Sequence, residues 1–257
     1  MTDAKTVDEL YVKKDTLSAR VGLHEKHSVN PYGFGNWTFD KYRFAEGMRI
    51  LELGCGGAGI WNGREECLPQ NIEIVLSDFS PLMVTKAEAL LQNNPRFKFM
   101  IIDIRSIPFE DAFFDAVIAN HMLYHVPDIQ QALREVSRVL KPGGRFYATT
   151  VGRDTYKELS GIYRQMDNAA AFSYAENLSF LLENGAAVLS PYFSQVTQEP
   201  YIDALVVTDA EDLLAYIHSY NTVPAGLESK LESLVRASFT DGVFRIRKEQ
   251  GMFICIK

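Results

Sequence analysis

The chain is poor in cysteine. Its 257 residues include only Cys55, Cys67 and Cys255. An odd number with no metal-ligand spacing argues for reduced thiols rather than a disulfide framework, and no bound metal is expected. Basic residues are outnumbered, 26 Lys and Arg against 33 Asp and Glu, for a net charge of −7. Extended phosphate backbones are held by clustered Lys and Arg, so nucleic acid is not the expected partner. The densest basic stretch, Arg245 to Lys248, reads as a solvated strand or hairpin face. Long apolar runs are missing too: no stretch approaches the roughly 20 residues that span a bilayer. Residues 1–14 are charged and lack the apolar core of a secretory signal, so the expected location is the cytoplasm. Internal repeats and low-complexity segments are absent as well.

What is present is a globular composition, 47% hydrophobic, long enough for one large domain, and an unusual turn. The apolar run at 48–51 leads into Glu52-Leu53-Gly54-Cys55-Gly56-Gly57-Ala58-Gly59. Glycine lacks Cβ and tolerates positive φ, so a strand ending in such a turn lets a ligand approach the backbone. Gly54, Gly56 and Gly59 fit the G-x-G-x-x-G dinucleotide fingerprint. Glu52, however, would repel a pyrophosphate in that turn and would attract a cation or an ammonium group. The ligand implied is positively charged near this loop, as S-adenosylmethionine is with its sulfonium and ammonium groups.

Two further acids sit at strand ends. Asp78 follows the apolar run at 72–76 and can accept both hydroxyls of a ribose, a role shared with dinucleotide folds. Asp103, after the run at 97–102, can accept the exocyclic amine of adenine while Ile104 packs on the ring. Each acid alone could be an exposed strand-end carboxylate. Three on successive strands, at the end where open parallel sheets bind ligands, point to one shared site.

The order and spacing of Leu51-Glu52-Leu53-Gly54-Cys55-Gly56, Asp78-Phe79-Ser80-Pro81, Asp103-Ile104, Ile107-Pro108-Phe109, Phe114-Asp115-Ala116-Val117 and Val139-Leu140-Lys141-Pro142-Gly143-Gly144 resemble the class I S-adenosylmethionine-dependent methyltransferases of the small-molecule type. The resemblance covers roughly 48–151. Ala58 departs from it, standing where most relatives carry the third glycine. The resemblance implies a Rossmann-like, doubly wound α/β fold: a mostly parallel seven-stranded sheet with helices on both faces and an antiparallel last strand. It implies S-adenosylmethionine as cofactor and S-adenosylhomocysteine as product. The cofactor contacts implied are Glu52, Gly54, Gly56, Asp78, Phe79, Asp103, Ile104 and Asn120. Asn120 would line the methionine part, and His125 or His121 would contact the cofactor or accept a proton. An unpaired loop histidine is, in general, more often a structural hydrogen-bonder.

Strands are expected at 48–53, 72–77, 97–102, 114–119 and 145–151, alternating with helices at 58–66, 80–93 and 128–140. Ser80-Pro81 and Asp128 with Gln131 are helix-start signals, and Pro142-Gly143-Gly144 a stop. Further helices are expected at 154–167, 173–183, 209–219 and 227–239, an extended segment near 195–207 and a hairpin through 243–256. The antiparallel pair of the family would fall at 195–207 and 251–256.

The domain reading is a helical N-terminal arm or lid at 1–40, with its helix at 7–27, and a methyltransferase domain at 41–257 carrying a cap at about 208–240. Tyr32 and Trp37, in a polar-aromatic cluster with His24, His27, Asn30 and Phe34, would close over the cofactor and exclude water. The expected partner is a small-molecule methyl acceptor with an N, O or C nucleophile. The competing readings are an NAD-dependent oxidoreductase, a non-catalytic S-adenosylmethionine-binding protein, and a methyltransferase acting on protein or RNA.

Overall fold

The computed structural model describes residues 14–91, 94–166, 175, 178–219, 223 and 226–257, with the side chains of 14–19 and 21 left aside. Seven strands form one sheet: β1 (Arg49–Leu53), β2 (Glu73–Asp78), β3 (Phe97–Ile101), β4 (Phe114–Asn120), β5 (Leu140–Val151), β6 (Gln195–Val207) and β7 (Phe244–Ile256). Their order is β3-β2-β1-β4-β5-β7-β6. Pairing is parallel from β3 to β5, and β7 runs antiparallel to both neighbours. The strand order reverses between β1 and β4, which is where an open sheet of this kind binds ligands. Here, then, the sequence expectation and the structure agree.

Both faces of the sheet are covered, which is why its central strands read as continuous apolar runs rather than alternating ones. On one face Leu51, Leu53, Val117, Phe146 and Phe253 pack with α4 (Ile129–Val139) and α6 (Gly185–Leu189). On the other, Ile50, Ile74, Leu76, Ile118 and Tyr147 pack with α2 (Phe34–Lys41), α3 (Pro81–Leu91) and Trp61. A third apolar cluster joins Leu23 of α1 (Lys14–His27) to α5 (Lys157–Arg164), α7 (Ala210–His218), α8 (Glu228–Ala237) and the outer ends of β6 and β7. The described residues of 208–240 and the arm helix therefore share one core, built on strands that project past the rest of the sheet.

Local signals explain most elements. Asp128 caps α4, its carboxylate accepting from the Gln131 amide at 2.9 Å. The reciprocal half of the capping box is not made, because the Gln131 side-chain oxygen accepts from Arg134 Nη2 at 2.9 Å instead of from the Asp128 amide. After α4 the chain passes into β5 with a register shift against β4, and Pro142-Gly143-Gly144 form the irregularity. Gly144 is required there: a Cβ would lie 2.8 Å from the Lys141 carbonyl.

Three expectations are corrected. Residues 58–66 do not form an α-helix; they run through turns and a 3-10 turn at Glu65–Cys67. Ala58 and Gly63 take positive φ (58° and 73°), which a right-handed helix cannot accommodate. The expected hairpin at 243–256 is a single 13-residue strand. Gly251 at its middle serves close strand approach rather than a turn, since a Cβ would meet the Glu199 carbonyl at 2.6 Å. Of the helix expected at 173–183, residues 173, 174, 176 and 177 lie outside the described residues, and 178–183 carry turns and bends instead, with α6 starting after them. Residues 1–13 of the expected arm also lie outside the description. Among the described residues no helix is long and apolar enough to cross a membrane.

Candidate cofactor and acceptor site

The glycine turn leaves β1 at Leu53. Gly54 (φ 69°) lets the chain pass Met122, whose Cβ would otherwise stand 2.9 Å from a new Cβ. Gly56 (φ 54°) faces open space, with nothing within 4 Å of its missing side chain. Such a shelf admits a ligand against the backbone. Asp78 fastens the shelf: its Oδ2 accepts from the Gly56 amide at 2.9 Å and its Oδ1 from the Ser80 amide at 2.9 Å. The Cys55 amide donates to the Ser77 carbonyl at 2.9 Å, and the Ile102 amide to the Asp78 carbonyl at 3.1 Å. Gly54, Gly56, Asp78, Phe79, Asp103 and Ile104 are thereby gathered along one rim of the sheet.

Asp103 is not alone there. Arg105 grips it in a two-pronged pair, Nη2 to Oδ2 at 2.6 Å and Nε to Oδ1 at 3.0 Å. That hydrogen bonding holds the Asp103 carboxyl below its ordinary range, against the opposing effect of partial burial. The sequence reading missed Arg105, although its position two residues after an acid at a strand end was a usable signal.

Glu52 differs most from expectation. It is 1% exposed, and both oxygens are engaged inside the protein: Oε2 by Trp61 Nε1 at 2.5 Å and Oε1 by Asn120 Nδ2 at 2.9 Å. Asn120 Nδ2 also donates to the Tyr42 hydroxyl at 2.8 Å. Burial pushes the Glu52 carboxyl up to about 7, with the Trp61 and Asn120 hydrogen bonds opposing it. Glu52 is thus the floor of the site, tying β1, β4 and the turn at Trp61 together. No spacing rule tied Trp61 to it, because the segment reads as a helix.

A pH dependence follows. Between its unfolded value near 4.5 and about 7, the native carboxyl keeps a proton that the unfolded chain has lost. Its contribution therefore favours folding at low pH and is lost as pH rises through that window, by on the order of 3 kcal/mol. In Glu52→Gln the slope disappears. The variant, with an amide facing a donor, starts less stable near pH 5 and closes the gap on the wild type by pH 8. Urea denaturation across that range tests this; a gap independent of pH refutes it.

The other predicted residues divide. Trp37 is half-buried in an aromatic cluster, with ring centroids 5.5 Å from Phe34 and 5.3 Å from Tyr201. Tyr32 is turned outward, 49% exposed, its hydroxyl donating to the Asp40 carboxylate. His121 follows β4 in a left-handed conformation (φ 50°), its amide bonded to Thr149 Oγ1 at 3.0 Å. Its Nε2 is buried without a partner, and burial lowers its pKa to about 4, so the ring is neutral at physiological pH. His125 is exposed and packs edge-on against Tyr124 at 4.6 Å. Burial raises the Cys55 thiol far above its usual range and Cys255 to about 12, which leaves both inert.

A family model described as a methyltransferase domain matches residues 51–148. The chain is 29% identical over 221 residues to the malonyl-[acyl-carrier protein] O-methyltransferase of Legionella pneumophila, covering 84% of this chain and 68% of that protein. It is 30% identical over 119 residues to the ubiquinone/menaquinone biosynthesis C-methyltransferase of Pectobacterium atrosepticum, covering 45% of this chain and 47% of that one. The chain thus spans under half the length of this second relative. Among solved structures, the YcgJ protein from Bacillus subtilis superposes with a TM-score of 0.61 at 20% identity, over 87% of this chain and 97% of that chain. Residues 51–148 thus match a methyltransferase domain, and the glycine shelf fastened by a strand-end aspartate beside the reversal of strand order agrees with the resemblance of this stretch to the class I S-adenosylmethionine-dependent methyltransferases.

Proposed function

We propose that the protein transfers a methyl group from S-adenosylmethionine to a small-molecule nucleophile. The observation that carries this reading is the open shelf at Gly56, pinned by Asp78 at the strand reversal. The residues fit the cofactor. Asp78 would accept the ribose hydroxyls, and the Asp103 carboxylate the adenine amine beside Arg105, with Phe79 and Ile104 against the ring. The Gly54–Gly56 backbone and Asn120 would line the amino-acid end. Glu52 acts from beneath: its Oε1 accepts from Asn120 and orients that amide, without direct contact with the cofactor. Bound there, S-adenosylmethionine supplies an already activated methyl group, so the protein's task is alignment of the acceptor and exclusion of water.

The arm at 1–40 and the cap at 208–240 govern acceptor access. Ser28 and Asn30 bind Asp203 of β6, and Lys41 pairs with Glu199 at 2.9 Å. These contacts strap α2 across the rim. Of the two histidines, His121 is better placed to hold the acceptor or take its proton, because its Nε2 is enclosed and uncommitted whereas His125 is exposed.

Calorimetric titration tests the cofactor assignment. S-adenosylmethionine and S-adenosylhomocysteine should bind in the micromolar range and NAD should not. Binding of NAD alone would return the site to the oxidoreductase reading.

A further inference from the structure

Buried polar atoms without partners are rare in folded proteins, because each costs about 1–3 kcal/mol. Here His121 Nε2, Tyr201 Oη and Gln250 Oε1 are all buried and unpartnered; the rings of the first two flank Phe34, and Gln250 stands beside Tyr201 in the sheet. Phe34 lies 5.1 Å from the His121 ring and 5.2 Å from the Tyr201 ring, centroid to centroid. Tyr201 and Gln250 are register partners on β6 and β7, so their side chains leave the sheet on the same face. Tyr201 is 3% exposed. The Gly33 amide approaches its hydroxyl without completing a hydrogen bond. A cleft of about 610 Å³ runs along β6 and β7, with Tyr201, Lys248 and Gln250 among its walls beside Leu182 and Pro200.

The electrostatics narrow the ligand. Lys248 and Asp203 neutralise one another in a buried pair at 2.6 Å. The aromatic faces already carry cations: Lys41 stands over Trp37 at 5.4 Å and Lys248 over Tyr201 at 5.9 Å from the ring centroids. With that pair compensated and the ring faces already occupied, a positively charged acceptor finds no unmatched negative partner among these residues. An anion would find Lys248 already compensated. What remains unmet is neutral hydrogen bonding, two acceptors and one hydroxyl, walled by flat rings.

Resting on the proposed methyltransferase reading, we infer that His121, Tyr201 and Gln250 form the acceptor subsite, and that the acceptor is a neutral planar ring bearing hydroxyl groups. Phe34 covers these atoms and gives way when the ring enters against Trp37. A hydroxyl donates to Gln250 Oε1 or His121 Nε2, and Tyr201 Oη answers an oxygen of the ligand.

The test uses three probes that share one ring but differ in charge: hydroquinone, benzylamine and benzoate. Binding is followed by quenching of Trp37 fluorescence in the full chain, with and without S-adenosylhomocysteine. Trp37→Phe identifies the signal, since Trp61 also emits. Hydroquinone should quench saturably and most strongly. Tyr201→Phe and Gln250→Met should each weaken it about fivefold, one hydrogen bond's worth, while S-adenosylhomocysteine affinity stays constant. Tighter binding of benzylamine or benzoate, no saturable response to any probe, or hydroquinone binding indifferent to both substitutions would overturn the subsite. If S-adenosylhomocysteine fails to bind, the cofactor reading falls separately, because the quench without it still decides this one.

Discussion

Asp78→Ala should lose S-adenosylmethionine binding by at least about 100-fold. Charge-assisted hydrogen bonds are worth about 1.5–3 kcal/mol each, and two ribose hydroxyls on one carboxylate exceed the 2.7 kcal/mol that a 100-fold loss requires. The substitution also frees the Gly56 and Ser80 amides that Asp78 holds, so the shelf loosens. Asp78→Asn is the sharper variant. It keeps one acceptor but turns an NH₂ towards one of the two amide donors, and should fall between wild type and alanine. Calorimetry gives the affinities, and thermal unfolding without ligand separates a lost contact from a lost fold. Alanine affinity within threefold of wild type would mean that the carboxylate only shapes the turn.

The second large effect is on stability. Asp203→Ala should cost on the order of 3–5 kcal/mol, because it leaves Lys248 charged and buried without its partner. The two side chains are 0% and 6% exposed, so water cannot compensate. The same change removes the acceptor for the Ser28 hydroxyl and the Asn30 amide, releasing the segment between α1 and α2. The double variant Asp203→Leu with Lys248→Met should recover most of the loss in urea denaturation, since it removes the stranded charge. A single variant with near-wild-type stability would show that the pair is solvated in practice. Acid has a related effect. Burial disfavours ionised Asp203, yet the Lys248 and Ser28 hydrogen bonds outweigh it and hold the carboxyl below its ordinary range. A depressed carboxyl stabilises the fold above its unfolded value near 3.8 and loses that contribution as pH falls through its folded value, so the strap opens only in strong acid.

Much of this protein was legible in one dimension. Buried parallel strands announce themselves as short apolar runs, so the gathering of Gly54, Gly56, Asp78 and Asp103 where those runs end was readable from position alone. Proline, glycine and capping residues act within a few residues of themselves, which is why α3, α4 and the passage into β5 were foreseeable. The failures share the opposite property. Trp61 reads as part of a helix because its reason for being elsewhere is Glu52, nine residues away. The outward turn of Tyr32 was not foreseeable, because aromatic composition does not say which way a ring points. Residues 243–256 read as a hairpin because the carbonyl that excludes a side chain at Gly251 belongs to β6.

The sequence by itself determined the sheet, the rim where its parallel strands end and the resemblance to a methyltransferase domain, since each depends on local periodicity and on residue types at strand ends. Tertiary structure alone decided that Glu52 is buried and bonded to Trp61 and Asn120, that Arg105 shares Asp103, and that His121 and Tyr201 flank Phe34 with Gln250 beside Tyr201. Those three residues lie 80 and 49 positions apart in succession. They converge because β7 inserts between β5 and β6, a pairing that long-range packing energy selects and short-range pattern does not record.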